Sequence, residues 1–156
     1  MALTKEQRQE YLNIIWDTGN YRETQLKKDW IPEDYLANKD LITREEVVVG
    51  APWVEVPVKC YISTAKEKTE KCPIHVNMHG GGFVYPQDND DDMYCAHVAA
   101  KIHGIVVDID YACTTDYAFP VALDQCYGVM KWVYENAEAW GGDKEKVSMG
   151  GHSAGG

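Results

Sequence analysis

The spacing of apolar residues divides the chain into a short helical part and a longer part that begins with strands. An apolar stripe at helical spacing predicts a helix over residues 4–17, and residues 20–41 are irregular. Alternating apolar residues then predict strands at 47–49 and 54–61, separated by a Gly-Ala-Pro turn signal. This pattern favours an antiparallel strand pair with one half-buried face.

Strands and helices alternate in the rest of the sequence. Apolar runs predict strands at 73–78, 105–109 and 146–150, and longer patterns predict helices at 88–103 and 120–140. The stripe that should turn the second helix toward the core comprises Leu123, Tyr127, Met130, Val133, Tyr134 and Ala137. The order strand, helix, strand, helix, strand predicts βαβ units and a parallel sheet, hence an α/β fold.

Two glycine-rich turns follow predicted strands, at the edge of an open α/β sheet where ligands bind. The first is the run His79, Gly80, Gly81 and Gly82. Three consecutive glycines let the backbone approach a ligand closely, because no Cβ intervenes. The second is the G-x-S-x-G segment at residues 151–155.

The G-x-S-x-G spacing is typical of a nucleophile on a sharp strand-to-helix turn. Gly151 and Gly155 would prevent collisions with the neighbouring backbone, and the hydroxyl of Ser153 would stand above the sheet. The N–H of Ala154 and those of the glycine loop would form an oxyanion hole. Either turn alone is a weak signal, but together, in this order and around a βαβ unit, they predict an acyl-transfer site.

The set of motifs resembles the hormone-sensitive-lipase-like carboxylesterases, the fold-3 branch of the α/β-hydrolases. The matching segments are HGGGF at 79–83, DY at 110–111, FPVAL at 119–123, KWVYENA at 131–137, WGGD at 140–143 and GHSAGG at 151–156. The resemblance implies the N-terminal half of an α/β-hydrolase fold, with an antiparallel first strand pair and then a parallel βαβαβ unit. It also implies a cap-like helical segment at 1–41 and a truncated core at 42–156.

The resemblance also assigns roles to the motif residues. Ser153 would be the nucleophile, Gly81, Gly82 and Ala154 would supply oxyanion N–H groups, His79 would brace the loop, and Gly80, Gly151 and Gly155 would support the two turns. The sequence departs from the family at residues 111–116, where the usual arginine, proline and glutamate are replaced and Asp116 is the one acidic stand-in. It departs again at His152, where the family more often has aspartate.

The expected reaction is hydrolysis of a small-molecule carboxylic ester through an acyl-enzyme. In α/β-hydrolases the acid and the histidine of the triad follow the serine, and here only residues 154–156 follow Ser153. We therefore expect these 156 residues to be inactive or nearly so, and the strand at 146–150 to have an unpaired edge that promotes self-association. The alternatives are an amidase or formamidase with the same fold, and a non-catalytic binder of small molecules.

Composition limits the kinds of binding partner and the cellular compartment that we expect. A net charge of −10 argues against binding to nucleic acid or to an anionic membrane surface. The sequence contains no signal-peptide core or membrane-length apolar run, and its five scattered cysteines suggest buried thiols in a reducing compartment, so we predict a cytoplasmic protein.

No cofactor or metal is expected. His75 and His79 have the spacing of a metal pair on a helix, but on a strand they lie about 13 Å apart, at about 3.3 Å per residue. The aspartates at 88–92 resemble the start of a calcium loop, yet the required glycine and glutamate are Met93 and Ala99.

Overall fold

The computed structural model describes residues 37–156, together with Glu6, Glu10 and Asn13. The predicted helix at 4–17 and most of the predicted cap segment at 1–41 lie outside the described residues, so the cap remains a prediction. Within the described part of the chain, no helix is both long and apolar enough to cross a bilayer.

In residues 37–156 five strands form one mixed sheet. They are β1 (Ile42–Val49), β2 (Val58–Ala65), β3 (Cys72–Met78), β4 (Ile105–Asp110) and β5 (Gly142–Gly151). Their order across the sheet is β1-β2-β4-β3-β5. β1 pairs antiparallel with β2, β2 pairs antiparallel with β4, and β3 runs parallel to both β4 and β5. The predicted α/β class, the antiparallel first pair and the parallel βαβαβ unit are confirmed.

The first two strands differ from their predicted bounds. β1 begins five residues earlier than the pattern suggested, and β2 begins only at Val58. Residues 50–57 form a connection, in which the N–H groups of Trp53 and Val54 turn back to the carbonyl of Gly50. Val54 is buried without belonging to a strand, so its alternation with Val56 imitated one.

Two α-helices cover opposite faces of the sheet. Helix α1 (Asn89–Ile102) packs Cys95, Ala96 and Ala99 against Val106 of β4. Helix α2 (Val121–Asn136) packs on the other face, where the core contains Ile74, Val76, Val107, Ile109, Val129 and Val133. Because β4 is covered on both sides, its side chains are almost all buried, as its continuous apolar run predicted.

The predicted apolar stripe of α2 is wrong for half of its members. Val133 and Ala137 are buried as expected, but Leu123, Tyr127 and Tyr134 are exposed. The buried face instead carries Gln125, Gly128, Val129 and Val133. The helix is therefore rotated toward its small and polar residues, because Gly128 lies directly against the connection at 53–54. The aromatic stripe is left as an exposed apolar face.

Candidate active site

A tight turn follows β5, at the predicted nucleophile. His152 has extended backbone angles, φ −130° and ψ 150°, and Ser153 then switches to φ +54°. A non-glycine residue in the left-handed region is strained, and such strain is concentrated at functional sites. Residues Ser153–Gly155 form a single 3-10 turn in which the Gly155 N–H donates to the His152 carbonyl at 3.0 Å. Ser153 is exposed at the top of this turn, as the G-x-S-x-G motif predicted.

The flanking glycines bring this elbow against the end of β3. A Cβ on Gly151 would overlap the carbonyl oxygens of Gly155 and Met78, and a Cβ on Gly155 would overlap that of Met78 and lie 2.6 Å from that of His79. All of these atoms are backbone, so no side-chain rotation would make room. The two glycines therefore permit the close approach of the elbow to the glycine loop.

The glycine loop at 80–82 leaves β3 in a conformation that side chains disfavour. Gly81 has φ +117° and Gly82 has φ +60°, and a Cβ on Gly81 would lie 2.7 Å from the carbonyl oxygen of Tyr85. The loop is closed by N–H groups of Val84 and Tyr85, which both donate to the Gly81 carbonyl at 3.0 Å. Among the described residues, the N–H groups of Gly81 and Gly82 donate no hydrogen bond. They are the groups that sequence analysis assigned to an oxyanion hole.

His79 is fully buried beneath the loop and holds it from inside. Its Nδ1 donates to the carbonyl oxygen of Gly80 at 2.5 Å, which places the proton on Nδ1. Burial lowers the pKa of His79, although this hydrogen bond opposes the shift, so the ring is neutral at pH 7. The position fits the bracing role that the resemblance implied.

Tyr111 is a bracing residue that sequence analysis did not single out. Its ring stacks on the His79 ring with centroids 4.0 Å apart and planes within 4°. Its hydroxyl donates to the carbonyl of His79 at 2.6 Å. Burial raises the pKa of this phenol, so the hydroxyl stays protonated and remains a donor. The DY motif at 110–111 includes this tyrosine, but the motif does not predict its contact with His79.

Thr114 connects the segment at 111–116, where the residues usual in the family are replaced, to the glycine loop. Thr114 donates both its N–H, at 2.7 Å, and its hydroxyl, at 3.0 Å, to the carbonyl oxygen of Phe83 at the end of the glycine loop. Asp116 accepts from the adjacent Thr115 hydroxyl at 3.4 Å. The expected acidic stand-in thus bonds to its own neighbour, and Thr114 ties the two loops together.

Helix α2 fixes the start of this segment through one buried glutamine. The Gln125 side-chain oxygen accepts the Ala112 N–H at 2.7 Å, and its amide nitrogen donates to the Val56 carbonyl at 3.1 Å. Gln125 is only 3% exposed, so these bonds form out of reach of water. The helix therefore holds the residue next to Tyr111, and through Tyr111 the glycine loop.

None of the five histidines in the sequence makes a hydrogen bond with Ser153 in the described part of the chain. Each is described, and each has a ring nitrogen within hydrogen-bonding distance of another group: His75 with Ser148, His79 with Gly80, His97 with Asn38, His103 with Glu67 and His152 with Gly80. His152, adjacent to the serine in sequence, has its ring against the glycine loop, where it accepts the Gly80 N–H. Among the described residues, the elbow and the glycine loop therefore come together with no histidine bonded to the serine.

Two buried carboxyl groups lie behind the loop. Asp108 of β4 accepts from the side-chain amide of Asn77 at 2.6 Å, and burial raises its pKa to about 6. Asp91, in the first turn of α1, is 6% exposed, and burial together with the charge of Asp108 raises its pKa to about 7. Both carboxyl groups therefore hold a proton up to higher pH than an exposed aspartate does.

Comparison with known proteins agrees with this geometry. A family model described as the alpha/beta hydrolase fold matches residues 75–156, which include the glycine loop and the elbow. The chain belongs to the α/β-hydrolase fold family. The branch indicated by the motifs, the hormone-sensitive-lipase-like carboxylesterases, is confirmed with it.

Individual α/β-hydrolases show the same likeness. The chain is 37% identical over 99 residues to a versiconal hemiacetal acetate esterase of Dothistroma septosporum, covering 64% of this chain and 30% of that protein. It is 33% identical over 114 residues to the carboxylesterase NlhH of Mycobacterium tuberculosis, covering 72% and 35%. An esterase structure from Pyrobaculum calidifontis superimposes with a TM-score of 0.67 at 27% identity, covering 79% of this chain and 41% of that one. The chain thus spans about a third of the length of these two curated relatives.

Proposed function

We propose that Ser153 is the acyl-accepting nucleophile of a carboxylic-ester hydrolase. The observation that carries the proposal is the strained Ser153 backbone, seated by two glycines against the end of β3 and the glycine loop. The relatives named above as esterases support the same reaction. The N–H groups of Gly81, Gly82 and Ala154 would bind the oxyanion.

The proposed reaction has two steps. The Ser153 oxygen attacks the ester carbonyl carbon, its proton passes to a base, and the carbonyl oxygen becomes an oxyanion held by the loop N–H groups. The tetrahedral intermediate then expels the alcohol and leaves an acyl-serine, which water hydrolyses to the acid. Because no histidine is hydrogen-bonded to Ser153 among the described residues, we take these residues to contribute the nucleophile and the oxyanion hole, with the base supplied separately.

Esters fit this arrangement better than amides. The leaving group of an activated ester departs as a stable anion. The amine leaving group of an amide must instead be protonated as it departs, which requires a positioned general acid. The histidine that serves as base also serves as that acid in serine hydrolases. We therefore expect a strong preference of the 156-residue chain for p-nitrophenyl acetate over p-nitroacetanilide.

An external base tests the proposal. With p-nitrophenyl acetate alone, we expect the chain to release nitrophenol no faster than its Ser153→Ala variant. Added imidazole should raise the wild-type rate about tenfold above that of Ser153→Ala at the same imidazole concentration, still below the roughly 100-fold that a positioned base provides. The variant carries the same cysteines and lysines, so it corrects for their reaction with the ester. Equal rates for the two proteins with imidazole would contradict the proposal.

We also propose that the outer edge of β5 pairs with a second copy of the chain. Within the described residues β5 is hydrogen-bonded to β3 alone, and Met149 on it is 56% exposed. An exposed strand edge presents unpaired N–H and C=O groups to another strand, and lysine on such an edge opposes pairing.

Substitution of Met149 tests this interface. Wild-type protein should associate with rising concentration in light scattering, and Met149→Lys should move it toward monomer. Leu123→Lys on the exposed face of α2 is the matched control and should have little effect. A wild type that is monomeric throughout, or association relieved only by Leu123→Lys, would contradict pairing through β5.

The cysteines support a cytoplasmic location as a further part of the proposal. All five are free thiols, and four of them are buried. Free buried thiols are ordinary in reducing compartments, where disulfides rarely form.

A further inference from the structure

The side chain of His152 connects the two halves of the site. Although it precedes Ser153 in sequence, its ring lies against the glycine loop: the Gly80 N–H donates to its Nε2 at 3.2 Å. A Cβ on Gly80 would lie 2.8 Å from both Nε2 and Cδ2 of this ring. The first glycine of the loop is therefore the one that makes room for His152.

The hydrogen bond determines the form of the ring. A nitrogen that accepts from an N–H carries no proton, so His152 is neutral in this arrangement and its proton is on Nδ1. Protonation at Nε2 would remove the acceptor, and the new N–H would then repel the N–H of Gly80. The bond between elbow and loop consequently exists only while the ring is neutral.

A buried carboxyl group is positioned to receive the protonated ring. Oδ1 of Asp91 lies 3.8 Å from the same Nε2, and within the described residues this oxygen is buried without a hydrogen-bond partner. A new N–H on Nε2 could therefore turn toward an acceptor already beside it. Charge on the ring in turn favours the ionised form of Asp91, against the burial that raises its pKa to about 7.

We propose that His152 is a positioning residue that couples the nucleophile elbow to the oxyanion loop, holding Gly80 when its ring is neutral and releasing it to pair with Asp91 when the ring is protonated. The catalytic consequence rests on the proposed function, since it assumes that Ser153 and the loop act together. The link itself depends only on the geometry around His152. Acidification should therefore loosen the loop relative to the serine.

Other titratable groups around the ring have to be distinguished from it. His79 from the end of β3 faces it and also contacts Gly80, while Asp88 and Asp108 surround Asp91 from the preceding loop and from β4. Burial lowers the pKa of His79 from its ordinary value, and its protonation would also reach Gly80. Removal of the His152 ring is thus the decisive comparison.

The test follows the Gly80 amide by ¹H–¹⁵N NMR as the pH of the intact chain is varied. In the wild type, the Gly80 resonance should move with the same midpoint as the His152 ring nitrogens. In Asp91→Asn, the Gly80 transition should shift to lower pH, because the protonated ring loses its partner. His103→Gln is the matched control, since His103 contacts the Glu67 carbonyl, and it should leave Gly80 unchanged.

Two substitutions at position 152 separate positioning from structural support. His152→Gln keeps an acceptor oxygen for Gly80 but does not titrate, so it should abolish the Gly80 transition and retain imidazole-assisted acylation of Ser153. His152→Ala should abolish the transition and lower the acylation rate constant about tenfold, with little change in the half-saturating ester concentration. The proposal is overturned if the pH-dependent shift of the Gly80 amide resonance survives in either variant. It is also overturned if the wild-type Gly80 resonance does not move over the pH range in which the His152 ring titrates. Absence of any Ser153 acylation would count against the proposed function, and the NMR result would still decide the link.

Discussion

Replacing Gly155 by alanine is expected to abolish the imidazole-assisted acylation of Ser153 while leaving the sheet folded. The added Cβ would overlap the Met78 carbonyl oxygen and approach that of His79 to 2.6 Å. Backbone atoms at the end of β3 cannot swing aside, so the elbow has to lift away from the glycine loop. Loss of one oxyanion donor alone reduces a rate on the order of 100-fold, and a displaced elbow loses the alignment of nucleophile and donors together.

Gly156→Ala is the matched control for this experiment. A Cβ on Gly156 would meet the carbonyl oxygens of Ser153 at 3.4 Å and Gly151 at 3.7 Å, both ordinary van der Waals contacts. The two variants should have similar circular dichroism spectra, and stopped-flow release of nitrophenol should separate them. If Gly155→Ala acylates Ser153 as fast as Gly156→Ala, the elbow is not held against β3 as described.

Gly128→Ala is expected to destabilise the folded chain, although alanine has a higher helix propensity than glycine. Alanine normally stabilises a helix interior by about 1 kcal/mol relative to glycine. Here the Cβ would overlap the Trp53 carbonyl oxygen and a methyl group of Val54. Overpacking of this kind costs about 1–3 kcal/mol and occasionally more, and it would also push α2 and Gln125 away from Ala112. Urea unfolding should show a lower midpoint with an unchanged slope.

The exposed face of the same helix provides the control. Lys131→Ala removes a solvent-exposed side chain and should change the free energy of unfolding by less than about 0.5 kcal/mol. A Gly128→Ala variant as stable as the wild type, or more stable, would show that the helix does not lie against residues 53–54.

The parts of the fold that sequence predicted best are those where one residue type is physically required. The glycines at 151 and 155 are needed because backbone from two elements meets there, and a glycine pattern records such an approach directly. The continuous apolar run of β4 was equally informative, since only a strand covered on both faces is apolar throughout.

Features that depend on tertiary contacts were not predictable from local pattern. The aromatic stripe of α2 has the better apolar periodicity, yet Gly128 and Gln125 turn the helix the other way through contacts with residues more than 60 positions away in sequence. Thr114 replaces the family residues by bonding to Phe83, and no spacing rule connects the two. The contact of the His152 ring with Gly80 likewise joins residues 72 positions apart, and no local pattern indicates it.

The most direct test of the central claim is the location of the acyl group. The chain is mixed briefly with p-nitrophenyl acetate and imidazole, quenched in acid, digested and mapped by mass spectrometry, with Ser153→Ala treated in parallel. We predict an acetyl group on Ser153 of the wild type, formed faster than on any cysteine or lysine, and no acetylation of the corresponding peptide in the variant. Acetylation confined to cysteines and lysines, at equal levels in both proteins, would contradict the assignment of Ser153 as the nucleophile.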